Sequence, residues 1–61
     1  MTKSEARELQ KIETLMTLGM RDTAARSLSA LIRATRSRAT SFELMQRAVS
    51  LDLVHLPDFI V

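Results

Sequence analysis

The chain has 61 residues, with no cysteine, one glycine, one proline and one histidine, and its nine Lys and Arg against seven Asp and Glu leave a formal charge of +2. That length allows one domain, which buries only about 60% of the surface its unfolded form exposes. The residue set excludes a disulfide staple and leaves His55 as the one good nitrogen ligand for a structural metal.

With 46% of residues apolar and 3% aromatic, the balance is that of a folded helical protein rather than a disordered tail. The mild positive excess permits a nucleic-acid or acidic-protein partner without requiring one. For a core this small, burial at roughly 25 cal/mol per Å² is nearly cancelled by conformational entropy. Self-association or docking on a larger protein is therefore the expected stabiliser. No apolar run approaches the ~18 residues of a membrane span, and no apolar signal core follows Met1-Thr2-Lys3-Ser4-Glu5. A cytoplasmic location with no membrane partner is the expectation.

A first helix is predicted over about residues 3–18. Thr2 and Glu5 have the spacing of a capping box. Leu9, Ile12 and Met16 recur at helical spacing, with Ala6 above them. Gly19 fits a left-handed C-terminal cap, and the apolar Met20 suits the contact that accompanies one.

Asp22 is expected to cap a second helix over about residues 22–37, its charge favourable at the positive helix end. Ala24, Leu28, Leu31 and Ile32 form its apolar arc, with Ala25 at the edge. A second apparent capping box, Thr40 with Glu43, opens a third helix over about residues 41–53. Its apolar positions, among them Phe42, Leu44, Met45, Ala48, Val49 and Leu51, sweep roughly 200° at about 100° per residue. One neighbouring helix cannot cover such an arc. Pro57 ends helical geometry, so the apolar tail Leu53, Val54, Leu56, Phe59, Ile60 and Val61 is expected to be extended or turned. The predicted fold is all-α, a single helical domain of three short helices with an extended apolar C-terminal tail, forming a helical-bundle oligomer.

Four features bear on function. The order Leu18-Gly19-Met20-Arg21-Asp22-Thr23-Ala24-Ala25 resembles the turn and recognition helix of helix-turn-helix DNA-binding proteins over residues 11–30. The resemblance implies that Arg21, Asp22, Thr23, Arg26 and Ser27 face the major groove. The chain departs from that pattern at Leu15, where the family places a small residue because the two helices touch. The alternative is a plain helical hairpin.

Arg26, Arg33 and Arg36 fall within roughly 80° on the helical wheel, with Arg38 following. They either grip phosphate or an acidic partner, or form a solvated face whose last-turn members complement the helix dipole. Thr23, Ser27, Ala30 and Ala34 make a narrow small-residue strip, which reads as a dimer seam or as simple helix propensity. The tail either folds back over the helices or exchanges with a partner. A third option adds its β-branched end to a partner's sheet edge.

His55 stands alone between apolar residues. No nucleophile and base pair is suggested by spacing, and a single glycine leaves no phosphate-binding loop. Neither an enzyme, a metal, a cofactor nor a small-molecule substrate is expected.

The stretch Leu15-Met16-Thr17-Leu18-Gly19-Met20-Arg21-Asp22-Thr23-Ala24-Ala25-Arg26 through Leu31-Ile32-Arg33-Ala34, with Leu56-Pro57-Asp58-Phe59-Ile60, resembles small uncharacterised bacteriophage and prophage proteins. The resemblance implies an effector that binds and redirects a host protein, or a small regulator.

The leading expectation is a self-associating helical interaction module, most simply a dimer, that binds another protein. Its expected contacts are the strip Thr23, Ser27, Ala30 and Ala34, the spare face Phe42, Met45 and Val49, and the tail residues Leu56, Phe59 and Ile60. The alternatives are a small helix-turn-helix regulator using Arg21, Thr23, Arg26, Arg33 and Arg36 on DNA, and a minor structural subunit anchored by its tail.

Overall fold

The computed structural model describes residues 1–60. They form α1 (Lys3–Thr17), α2 (Arg21–Ala34) and α3 (Arg38–Ser50), an all-α architecture. Val61, counted above among the apolar tail residues, lies outside the described residues.

α1 starts on the expected capping box. The Thr2 hydroxyl accepts from the Glu5 N–H at 3.1 Å, and the Glu5 carboxylate accepts from the Thr2 N–H at 2.8 Å. It ends on a left-handed glycine. Gly19 has φ 77°, the Gly19 N–H donates to the Met16 carbonyl at 3.0 Å, and the Met20 N–H donates to Leu15 at 2.9 Å. These two bonds satisfy carbonyls that the last turn would otherwise leave orphaned.

α2 begins one residue before the predicted start. Met20 holds the cap position without a side-chain bond, and Asp22 lies inside the first turn. The carboxylate therefore acts on the helix dipole rather than as a cap. α2 also stops short of residue 37, because Thr35 turns to extended geometry at ψ 142°.

Ser37 then caps α3, its hydroxyl accepting from the Thr40 N–H at 3.2 Å. Thr40 is not the cap expected for it; it sits in the first turn, 2% exposed. α3 stops at Ser50 rather than continuing to residue 53. Asp52 takes φ 57°, the Asp52 N–H donates to Val49 at 3.0 Å, and the Leu53 N–H donates to Ala48 at 2.9 Å. This is the bonding pattern that ends α1, built without glycine.

α2 is the central element. It packs on α1 and on α3, which do not pack on each other. Its buried residues are Ala24, Ala25, Leu28, Ser29 and Ile32. Three of these are small, which lets helices on two sides approach the same backbone. Leu9 and Ile12 of α1, Leu44 and Ala48 of α3, and Leu53 complete the core. The buried Ser29 hydroxyl donates to the Arg26 carbonyl at 3.0 Å, so the core holds no unpartnered side-chain polar atom among the described residues.

After α3 the tail is turned, not extended. Leu53 is fully buried, and Val54, Leu56 and Phe59 lie half-buried against the core. Leu56 N–H donates to Leu53 at 3.1 Å and Phe59 N–H to Leu56 at 3.0 Å, two successive turns that carry the chain past Pro57.

Candidate functional site

α3 carries two apolar faces. Leu44 and Ala48 point into the core, whereas Phe42, Met45 and Val49 line an open groove with Gln46 and Ser50. At about 100° per residue, Phe42 and Leu44 stand roughly 160° apart on the helix, so α2 can cover one and not the other. Phe42 is left 66% exposed and Val49 63% exposed, while Met45 is half-buried. No polar residue interrupts the row from Phe42 through Met45 to Val49 at helical spacing.

The rim of this face is mostly uncharged. Ala39 and Gln46 border one side and Ser41 the other. Arg47 lies further round, its guanidinium 3.8 Å from the Glu13 carboxylate of α1. Arg38 stands at the N-terminal end of the row. It makes no ion pair or hydrogen bond among the described residues, and the first turn of α3 contains no acidic residue.

The other expected contact residues fare differently. Thr23 and Ser27 are half-buried, and Ala30 and Ala34 are exposed. The small residues that bring helices together within the chain are Ala24, Ala25 and Ser29 instead. Leu56 and Phe59, expected at an interface, lie half-buried against the chain's own core, and Ile60 is the apolar residue of the described tail left most exposed, at 62%. Leu18 and Met20, at the α1–α2 turn, are a second exposed apolar pair; Met20, expected to pack beside the Gly19 cap, is left 46% exposed.

The arginines are largely engaged. Arg21 donates to the Asp52 carbonyl at 2.6 Å, Arg26 lies 3.4 Å from the Asp58 carboxylate, and Arg33 donates to the Ser29 carbonyl at 3.4 Å. Arg36 falls beyond the end of α2, so the wheel grouping with Arg26 and Arg33 does not extend to it. The face that resembles a recognition helix is thus tied at Arg21 and Arg26 to the C-terminal segment. Asp22 remains exposed there.

His55 is exposed, its Nε2 3.5 Å from the Asp52 carboxylate. No three His, Asp or Glu side chains converge as metal ligands among the described residues. Among the described residues, Glu5 is the one carboxyl held clearly below its ordinary range. The cause is first the Thr2 backbone N–H and then the Thr35 hydroxyl.

The chain matches no protein family, no curated protein and no solved structure with which it was compared.

Proposed function

We propose that this chain is a non-enzymatic protein-interaction module, self-associating and binding a partner protein, with the outer face of α3 as its contact surface. The observation that carries this reading is the exposure of Phe42, one of only two aromatic residues in the chain. Leaving such a side chain in water forgoes about 1.5–3 kcal/mol of burial. A core of this size supplies only about 3–5 kcal/mol in total, so an apolar row of this kind is better explained by a partner than by the monomer.

The resemblance to phage and prophage proteins supports the finer version, an effector that redirects a host protein in the bacterial cytoplasm. No helix of the described chain is long and apolar enough to cross a membrane. DNA binding through α2 is the weaker reading, because Arg21 and Arg26 would first have to leave Asp52 and Asp58. Anchoring by the tail is weaker too, since Leu53 is buried at home and Leu56 and Phe59 are half-buried there.

Placing a photo-crosslinking side chain at Phe42, with Gln10 on exposed α1 as control, tests the proposal in cells. Adducts are expected from the Phe42 position and not from the Gln10 position. Equal labelling from both, or none, would refute a binding face on α3.

A further inference from the structure

We propose that the occupant of the α3 face is a second copy of this chain, its own α3 laid antiparallel across the first. This rests on the reading of α3 as a protein-binding face and names what binds there.

Arg38, Phe42, Met45 and Val49 are spaced by four, three and four residues. At about 100° per residue they share an arc of roughly 60° on the helix, the narrow seam by which two helices pack knobs into holes. An antiparallel mate centred between Glu43 and Leu44 sets each Phe42 beside the second copy's Met45. It also sets each Arg38 beside the second copy's Val49. That register overlaps almost the whole of Arg38–Ser50, a contact about 18 Å long at about 1.5 Å per residue.

The charges select this orientation. Each Arg38 can lie with its aliphatic stem along Val49 of the second copy. Its guanidinium then reaches the carbonyl end of that helix, where the dipole is negative. Arg38 has no competing partner of its own among the described residues, and its own helix start carries no acid. A parallel mate would instead bring two Arg38 side chains together and align the two dipoles, both unfavourable. The rim supplies nothing to repel a twin. Ala39, Ser41 and Gln46 are uncharged, while Glu43 and Arg47 lie round the flank, the latter paired with Glu13.

Size predicts a weak dimer. A standard interface takes about 800 Å² from each partner, close to a fifth of the 4294 Å² surface of this chain, and one short helix face falls below that. A dissociation constant on the order of 10–100 µM is expected.

Sedimentation of the full chain from about 10 µM to about 1 mM should show the mass rising from one copy towards two. Phe42→Asp should keep it at one copy without loss of helicity. Orientation is read by disulfides, since the chain has no cysteine of its own. Mixing Ala39→Cys with Gln46→Cys chains should give the mixed disulfide above its statistical share. A mixed product at or below that share overturns the antiparallel register. A chain that stays monomeric throughout overturns self-pairing. In that case site-specific adducts to a different protein at Phe42 would still uphold a binding face, whereas their absence would bring down both readings.

Discussion

The guanidinium of Arg21 donates to the main-chain carbonyl of Asp52 at 2.6 Å, and Asp52 is the one non-glycine residue with positive φ among those described. The start of α2 thus grips the residue that ends α3. A left-handed conformation costs a residue with a Cβ about 1–2 kcal/mol, and Asp tolerates it better than most because its short polar side chain bonds locally. Asp52→Gly should be close to neutral, trading relief of strain for an exposed ion pair worth about 0–1 kcal/mol. Asp52→Val should lower the thermal midpoint, by about 4–8 °C for each kcal/mol. If the two variants melt together by circular dichroism, the left-handed turn is not what holds the hook.

Leu53 follows that turn and is fully buried between the helices. Truncating a buried Leu to Ala costs about 2–5 kcal/mol, comparable with the whole stability of a domain this small. Leu53→Ala is therefore expected to abolish a cooperative melt, while Ile60→Ser, at an exposed position seven residues on, should stay within about 0.5 kcal/mol. Urea titrations of the two variants compare them directly. Equal loss would mean that the tail is bound as one unit.

A pH dependence follows from Glu5. Its carboxyl is held below the ordinary value of 4.5 by the Thr2 backbone N–H first and the Thr35 hydroxyl second. With the folded value depressed, the stabilisation is present above the unfolded value and is lost as pH falls through the folded one. Glutamine can also close a capping box, so Glu5→Gln should melt much like the parent near neutrality and show a smaller loss on acidification. Thermal midpoints across an acid series check this. An unchanged acid dependence in Glu5→Gln would assign it to other carboxyls.

What the residues announce in advance is mostly what local chemistry decides. Thr2 with Glu5 and Gly19 with Met20 form their caps from groups within a few residues of one another, so spacing alone reveals them. Thr40 with Glu43 spells the same box and misleads. Ser37 competes for the cap three residues earlier, and the core takes Thr40. Asp52 was legible only as a break in an apolar arc, because aspartate tolerates left-handed geometry without requiring it. The candidate face was half legible. The width of the arc on α3 required two neighbours, but which half α2 would cover depended on small residues of α2, distant in the chain. The inward turn of Leu56 and Phe59 was likewise settled by that packing, not by their own neighbours.

Leu44 and Phe42 make the last comparison, because they are two residues apart on one helix with opposite surroundings. Leu44 is fully buried against α2 and should cost about 2–5 kcal/mol when cut to Ala, enough to unfold most of the population. Phe42 is larger yet 66% exposed, so Phe42→Ala in dilute solution should shift stability by less than about 1 kcal/mol. In concentrated solution the same substitution should lower the melting midpoint more, since an associated state gains stability by mass action and the variant forfeits it. Melts of parent and Phe42→Ala at low and high concentration provide the measurement. A gap between them that does not widen with concentration would mean that Phe42 serves this chain alone and not a neighbour.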